Sequence, residues 1–425
     1  MSSQTEEPAR PSIRPDGLTT TRRATLGLLA AGGTLLAAPA LVRAEVPGNL
    51  VKVGVLSDMS GPFADQAGPG SVVSAKLAAD DFAAEAGGLK VEIVSADHQN
   101  KPDIGVATAR RWVDTEGVGA VVDLANSAVG LGVSDLMREK KRVALASSTA
   151  TSDLTGRACS PNTVQWVTDT WAQANGVVTG TMRQGGDSWF FLTVDYALGH
   201  TLERDAAEAV KRQGGKVMGQ VRHPLNTADL SAFLLQAQSS GAKVFALANT
   251  GSDVINAIKQ AAEFGVLRRG RSLAALFIQL SDIHALGLQA AQGLLLCEAF
   301  YWDLDAKTRA WSDRFSAQMG GRRPTMNHAG VYSATLAYLR GVREAKTLDG
   351  ETVVTAMRAK PIDDPLFGEV TIRQDGRAVH AMHLFRVKKP ADSRGAWDYY
   401  EKLETIAPDQ AFRPLDQGGC PLIRS

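Results

Sequence analysis

The chain is poor in cysteine, in aromatic residues and in net charge. It has three cysteines, 6% aromatic residues, and 46 Lys and Arg against 45 Asp and Glu, which gives a formal net charge of +1. Because basic and acidic residues are almost equal in number, the composition provides no basic surface for nucleic acid or an anionic membrane. We expect neither as a partner. No two cysteines have the C-x-x-C spacing of a metal or redox centre. We therefore predict no metal and no cofactor.

The sequence also lacks the motifs of common enzymes. It contains no P-loop Gly-Lys-Ser/Thr, no G-x-G-x-x-G after a strand, and no C-x-x-C-H, H-E-x-x-H or G-x-S-x-G. The main enzyme alternative is an exported redox protein that carries its cofactor through the membrane, and these absences argue against it. We expect a binding protein and no enzymatic activity.

An apolar stretch near the N-terminus follows two adjacent arginines. Arg22 and Arg23 precede residues 26–42, which are mostly Leu, Ala and Gly, and the stretch ends in Val-Arg-Ala, a small-residue cleavage pattern. Paired arginines before a weakly apolar core are the bacterial twin-arginine address. A membrane anchor is the alternative, but the run is shorter than the ~20 apolar residues of a spanning helix. We predict that residues 1–44 are a cleaved twin-arginine signal peptide and that the remainder works in the periplasm.

After this leader, short apolar strands alternate with amphipathic helices, which is typical of parallel sheets covered on both faces. The alternation runs once over residues 51–146 and restarts after Pro161. We therefore predict an α/β fold of two doubly wound, Rossmann-like lobes. The predicted strands are 51–56, 91–95, 120–124, 142–146, 189–194, 216–222, 243–248, 273–279 and 293–300. The predicted helices are 71–86, 104–116, 128–139, 198–212, 230–238, 252–264, 305–319, 327–348 and 352–360.

In the last third of the chain, the order of the predicted elements suggests that the chain passes back from one lobe to the other. The second α/β set is complete by residue 300, so we expect the later helices to return to the first lobe. A hairpin of residues 368–372 and 381–387 would then close the second lobe. The predicted crossings are near 164–169, 300–303 and 361–367. The expected domains are 48–165 and 303–362 for the first lobe, and 166–302 and 363–425 for the second lobe and tail.

The three cysteines differ in their surroundings. Cys297 ends an apolar run and is expected to be buried in a strand. Cys159 and Cys420 lie in turn sequences, Ala-Cys-Ser-Pro and Gly-Gly-Cys-Pro. In an oxidising compartment these two can form one disulfide that ties the C-terminal tail to the body of the protein.

Several motifs occur in a distinctive order. Residues 51–63 read Val-Lys-Val-Gly-Val-Leu-Ser-Asp-Met-Ser-Gly-Pro-Phe, and residues 97–103 read Asp-His-Gln-Asn-Lys-Pro-Asp. The segments 121–136, 147–155 and 249–252 follow. Together they resemble the leucine/isoleucine/valine-binding protein family, solute receptors of ABC importers with the type I periplasmic-binding fold. The resemblance covers nearly all of the chain after the leader. It implies a three-crossing hinge, and permease and ATPase partners in the inner membrane; we expect the receptor itself to be a monomer.

The resemblance places the ligand's carboxylate on two loops of the first lobe. Ligands of open α/β sheets sit beyond the C-terminal strand ends, and helix N-termini there favour an anion. The matching positions are Asn126, Ser127, Ala128, Ser148, Thr149, Ala150 and Thr151. Their hydroxyls and backbone N–H groups are the expected donors. Ser127 and Thr151 have a second interpretation as helix caps.

In the second lobe the resemblance implies ligand contacts from Asn249 and Thr250. Family members that bind amino acids also place an acidic side chain there to pair the ligand's ammonium. A direct alignment puts Ser281 at that position, with Asp282 one residue later. Because a buried, unpaired ammonium costs several kcal/mol, an α-amino acid is disfavoured unless Asp282 turns inward.

Four further residues complete the predicted site. Trp171 and Tyr196 are candidates for an aromatic wall, although core packing is the alternative for each. Phe63 and Gln66 fall where the family varies a side chain that faces the ligand. We predict a receptor that captures a small organic acid, an aromatic carboxylate, by hinge closure. The alternative is a branched-chain or other hydrophobic amino acid, or an amide.

Overall fold

A computed structural model describes residues 46–267 and 270–423. The predicted signal peptide lies outside these residues. The described chain forms two parallel sheets flanked by helices, so the predicted α/β fold with two doubly wound lobes is confirmed. None of its helices is both long enough and apolar enough to cross a bilayer.

The first lobe is built on a five-stranded parallel sheet in the order β2-β1-β3-β4-β5. Two of its central strands are buried along their whole length, because helices cover both faces of the sheet. The strands are β1 (Leu50–Ser57), β2 (Lys90–Asp97), β3 (Val118–Asp123), β4 (Val143–Ala146) and β5 (Thr163–Gln165). The connecting helices are α1 (Gly68–Phe82), α2 (Pro102–Arg111) and α3 (Ser127–Glu139).

The second lobe repeats the plan with a four-stranded parallel sheet in the order β7-β6-β8-β9. Its strands are β6 (Ser188–Val194), β7 (Lys216–His223), β8 (Val244–Ala248) and β9 (Ser272–Ala275). Its helices are α4 (Thr170–Arg183), α5 (Ala197–Arg212), α6 (Ser231–Ser239), α7 (Ser252–Glu263), α8 (Leu280–Leu286) and α9 (Leu288–Ala291). Helix α4 has no counterpart among the predicted elements. Strand β9 ends before Leu276, so the last part of the predicted strand 273–279 is a loop that leads into α8.

The later helices pack on the first lobe. They are α10 (Ala306–Gln318), α11 (Met326–Ala345) and α12 (Gly350–Arg358). Tyr332 of α11 donates to Asp81 of α1 at 2.7 Å, and Arg340 donates to Glu85 at 2.6 Å. Almost every residue of α11 is buried, because it lies between α1 and the sheet.

The remaining strands do not form the predicted hairpin. They are β10 (Leu295–Glu298), β11 (Ile362–Asp364), β12 (Gly368–Ile372), β13 (Ala378–Val379), β14 (Met382–Val387) and β15 (Tyr400–Ile406), and a short helix α13 (Pro408–Ala411) follows. Strand β12 pairs with β11 and β13, whereas β14 pairs with β10 and β15. The prediction was wrong because alternation identifies a strand without identifying its partner.

Arg377, a buried arginine, stabilises the segment in which the chain passes from the first lobe to the second. The side chain of Arg377 is inaccessible to solvent. It donates to the carbonyls of Trp166 and Thr168 and lies 3.5 Å from a carboxylate oxygen of Asp169. Its guanidinium also stacks on Phe412, 4.3 Å from the ring centre. Desolvation lowers the pKa of Arg377 to about 10, and these carbonyls compensate for the buried charge.

The structure contains a disulfide between Cys159 and Cys420, which lie 261 residues apart in the chain. Both cysteines are buried. Close to this bond, Arg413 donates to the Ser152 carbonyl at 2.9 Å. The tail is therefore attached to the first lobe beside the loop that follows β4. Cys297 is a free, buried thiol of β10.

Candidate functional site

The C-terminal strand ends of the two sheets meet across a cleft. Gln66, in the loop after β1, donates to Thr250 Oγ1 at 3.0 Å and to Asp282 Oδ2 at 2.6 Å. Phe63 of the same loop lies against Gly251, where an added Cβ would be 3.1 Å from the Phe63 ring. Ligands of open α/β sheets bind at such strand ends, so this cleft is the candidate site.

Asp282 faces the cleft. It is 3% exposed, and its Oδ2 accepts the Gln279 N–H at 2.9 Å in addition to Gln66. Burial raises the pKa of Asp282 to about 7, and the Asp65 carboxylate adds to this shift. None of the ion pairs formed by the described residues includes Asp282. The second lobe therefore offers the cleft a buried carboxylate that has no cation.

Ser281 does not share the contact that Asp282 makes with Gln66. It lines a cavity of about 250 Å³ between the loop after β1 and α8, with Ala64 and Asp65 on one side and His284 on the other. Successive residues of a helix point about 100° apart, so Ser281 and Asp282 at the start of α8 cannot share one face. Asp282, one residue after the aligned position, is the acidic side chain that contacts the first-lobe loop, which is the condition under which an amino-acid ligand is allowed.

The two loops of the first lobe are joined to each other. Asn126 caps α3, and its Oδ1 accepts the N–H groups of Ala128 at 2.9 Å and Val129 at 3.2 Å. Ser127 Oγ accepts the Thr151 N–H at 3.3 Å. Ser127 is therefore not the cap of this helix, whereas Thr151 does cap the short turn after it, through the Asp153 N–H at 3.3 Å.

The hydroxyls expected to hold a carboxylate are engaged inside the first lobe. Ser148 donates to Asp123, and Thr149 Oγ1 donates to the Leu124 carbonyl at 2.6 Å. By contrast, no hydrogen bond among the described residues uses the backbone N–H of Ser127, Thr149 or Ala150. The anion-binding capacity of these loops therefore resides in their peptide groups, next to the positive end of α3.

Asp123 is a feature of this loop that the sequence analysis did not single out. It has a φ of 84°, and Leu124 after it has a φ of 61°. Two consecutive left-handed, non-glycine residues are a strained arrangement that often occurs at functional sites. Asp123 is fully buried, and burial, with the nearby charge of Asp58, raises its pKa to about 6. An aspartate that ends an apolar strand run was the available signal.

Tyr196 directly precedes α5, just beyond the C-terminal end of β6. Its hydroxyl is buried and has no hydrogen-bond partner in the described structure. Burial raises the pKa of Tyr196, and two carboxylates add to the shift, Asp253 of its own lobe and Asp58 of the first lobe. Tyr196 is thus in the cleft, as are Thr250 and its neighbour Asn249, whose Nδ2 donates to His223 at 3.1 Å.

The Trp171 side chain does not lie beside that of Tyr196. The guanidinium of Arg212 lies 5.5 Å from the Trp171 ring centre. Arg212 is the last residue of α5, whereas Tyr196 directly precedes its first residue, so about 24 Å of helix separate them. Trp171 packs at the opposite end of α5 from the cleft, and the expected aromatic wall of these two residues does not form.

The fold and the cleft together define a class, the two-lobed solute-binding proteins. A family model for periplasmic binding proteins matches residues 50–395 of this chain. The chain belongs to that family, whose members are receptors and not enzymes.

Relatives support the same assignment. A periplasmic binding protein from Burkholderia mallei is 42% identical, with a TM-score of 0.86, over 89% of this chain and all of that one. A branched-chain amino acid ABC transporter periplasmic ligand-binding protein from Burkholderia xenovorans LB400 is 37% identical, with a TM-score of 0.78, over 88% and 99%.

Two more distant matches extend the comparison. The Leu/Ile/Val-binding protein homolog 6 of Brucella melitensis is 28% identical over 60% of this chain and 66% of its own length, so the match leaves about a third of that relative uncovered. An R. palustris solute-binding protein in complex with benzoate is 17% identical, with a TM-score of 0.74, over 84% and 97%. At that identity the likeness shows the fold alone.

Proposed function

We propose that this protein is the receptor of an ABC importer and that its ligand is an α-amino acid, bound with its carboxylate on the first lobe and its ammonium at Asp282. The observation that carries this proposal is the orientation of Asp282, a buried carboxylate that faces the cleft and has no cation. An uncompensated buried charge is costly, and a ligand ammonium would remove the cost.

The opposite side of the cleft supports the other half of the ligand. The peptide N–H groups of Ser127, Thr149 and Ala150 lie at the N-terminus of α3 and in the loop after β4, and none donates to another of the described residues. Such groups bind a carboxylate without a formal positive charge. A zwitterion would therefore place each of its charges against a complementary surface, whereas an aromatic monoacid would leave Asp282 unpaired.

Binding would proceed by closure of the lobes around the hinge. The first lobe would hold the carboxylate, and closure would bring Asp282 onto the ammonium while Gln66 bridges the lobes. The closed form would then be recognised by a permease in the inner membrane, with the ATPase subunits on its other side. Export by the twin-arginine route remains a prediction from the leader sequence.

Isothermal titration calorimetry of residues 45–425 tests the proposal. The panel contains leucine, valine, glutamine, benzoate and 4-hydroxybenzoate. At least one amino acid should bind, and Asp282→Asn should weaken that binding by tenfold or more, since a charged hydrogen-bonded pair is worth about 1.5–3 kcal/mol. The matched control is Asp187→Asn, an exposed aspartate that precedes β6 and pairs with Lys243 at 2.8 Å, which should bind normally. Binding of a benzoate alone, unchanged in Asp282→Asn, would refute the proposal.

A further inference from the structure

The second lobe presents unusual polar groups to the cleft. Tyr196 follows β6, Asn249 follows β8, and Gln279 follows β9, so the three residues lie beyond three adjacent strand ends. The Tyr196 hydroxyl, Asn249 Oδ1 and Gln279 Nε2 are buried and have no hydrogen-bond partner in the described structure, whereas the Gln279 oxygen takes part in the capping box of α8. Asn249 and Gln279 are fully inaccessible to solvent. Buried polar groups are normally paired, so such a concentration calls for an explanation.

All three residues adjoin the contacts between the lobes. The Gln279 N–H donates to Asp282, and Asn249 precedes Thr250; both Asp282 and Thr250 accept from Gln66 of the first lobe. Tyr196 lies just beyond the end of β6, the strand next to β8, which leads to Asn249 and Thr250. The unpaired atoms therefore lie at the strand ends next to the interlobe contacts of Gln66, where a ligand's side chain would enter.

The orientation of the Asn249 amide follows from its neighbour. His223 Nδ1 lies 2.9 Å from the Pro224 carbonyl, which can only accept, so Nδ1 carries the proton. His223 Nε2 is then an acceptor and takes the Asn249 Nδ2 hydrogen at 3.1 Å. Burial lowers the pKa of His223, which keeps the ring neutral. Asn249 Oδ1 is consequently a fixed acceptor with nothing to accept from.

We infer that the ligand's own side chain is polar and carries an amide, as in glutamine or asparagine, and that Tyr196, Asn249 and Gln279 form the subsite for it. This inference rests on the proposed function and specifies its ligand. A carboxamide offers N–H donors for the Asn249 oxygen and the Tyr196 hydroxyl oxygen, and an acceptor for the Gln279 nitrogen. An aliphatic side chain would leave these groups unpaired, at about 1–3 kcal/mol each.

A neutral side chain fits better than a cationic one. The carboxylates nearest to Tyr196 already accept backbone hydrogen bonds. Asp253 accepts the N–H groups of Asn226 at 3.0 Å and Thr227 at 2.9 Å, and Asp58 accepts that of Phe63 at 2.8 Å. Both oxygens of each carboxylate accept such bonds, since Asp58 Oδ1 also accepts the Gly61 N–H at 2.7 Å, whereas Asp282 accepts through Oδ2 alone. The subsite therefore requires hydrogen bonds and no additional positive charge.

Competitive calorimetry with glutamine, asparagine, leucine and norleucine tests the inference. Glutamine or asparagine should bind at least tenfold more tightly than leucine and norleucine. Tyr196→Phe should reduce that preference several-fold. Tyr338→Phe is the matched control, because the Tyr338 hydroxyl is also buried and unpaired but contacts Gly119 at the start of β3, at the other end of the first sheet; it should leave the preference unchanged.

The outcomes separate the two proposals. Leucine or norleucine binding as tightly as glutamine, still dependent on Asp282, would overturn the amide subsite and leave the amino-acid receptor intact. Failure of all four amino acids to bind would overturn the proposed function, and the amide subsite with it.

Discussion

The Nε2 atom of Gln66 in the first lobe lies 2.6 Å from a carboxylate oxygen of Asp282 in the second. This hydrogen bond connects two residues 216 positions apart and spans the cleft where the two sheets meet. It makes Gln66 a residue that favours closure as well as one that lines the site. Since Gln66 also donates to Thr250, a single side chain joins the lobes at two points.

Gln66→Met should weaken ligand binding by about tenfold without lowering the thermal stability of the protein. The variant keeps the length of the side chain and loses both bonds between the lobes, each worth about 0.5–1.5 kcal/mol, so the closed form is less favoured. Calorimetry measures the affinity. Gln213→Met is the control, because Gln213 makes an exposed hydrogen bond within the second lobe. Equal affinities for the two variants would exclude Gln66 from closure.

Asp282→Asn should stabilise the ligand-free protein at alkaline pH. Burial raises the pKa of Asp282 to about 7, whereas an unfolded aspartate titrates near ~3.9. Between these values the native state binds more protons than the unfolded state, so stability falls as the pH rises from about 4 to about 7. The variant lacks this penalty, which is up to about 4 kcal/mol above pH 7.

Urea unfolding at pH 4, 6 and 8 measures this effect. The stability difference between Asp282→Asn and the wild-type protein should be largest at pH 8 and disappear by pH 4. Ser281→Ala should show no such trend. A difference that is constant with pH would mean that Asp282 keeps an ordinary pKa.

Arg377→Met should destabilise the protein by about 3–5 kcal/mol. The substitution leaves Asp169 and the carbonyls of Trp166 and Thr168 without their buried partner. Arg386→Met removes an exposed ion pair with Glu401 and should cost about 1 kcal/mol or less. Urea unfolding at pH 7 compares the two variants, and similar losses would show that the hinge does not depend on Arg377.

Cys420→Ser should lower the unfolding temperature by several degrees. The disulfide closes a loop of 261 residues, and loss of a native disulfide typically costs about 2–5 kcal/mol. Differential scanning fluorimetry with and without dithiothreitol provides the measurement. Reductant should destabilise the wild-type protein to the level of the variant and leave the variant unaffected. A wild-type protein that is insensitive to reductant while its thiols become titratable would contradict this expectation.

Trp171→Leu should leave ligand affinity unchanged. The Trp171 ring packs against Arg212 at the end of α5 that is distant from the cleft. The variant loses this cation–π contact, worth about 0.5–1 kcal/mol, and should unfold at slightly lower temperature. Tyr196→Leu, at the other end of the helix, should abolish or strongly weaken binding. An equal loss of affinity in Trp171→Leu and Tyr196→Leu would show that Trp171 belongs to the binding site.

Much of the fold was predictable because it depends on local patterns. The apolar run of β1 and the amphipathic repeat of α5 each identify an element whatever its neighbours are. Alternation of such elements predicts parallel sheets, because two strands joined by a crossover helix can pack together in few other ways. The pairing of β12 and β14 was not predictable in this way, since a strand's pattern is compatible with several partners.

The candidate site was also predictable only where it depends on local patterns. The sequence by itself determined which loops carry it, since the end of each strand and the start of each helix are local properties; Ser127, Tyr196 and Thr250 lie at such points. The tertiary structure alone decided that Asp282, and not Ser281, contacts Gln66 across the cleft, and that Trp171 packs against Arg212. The direction in which such a side chain points depends on how its helix is rotated when the apolar face packs against the rest of the protein.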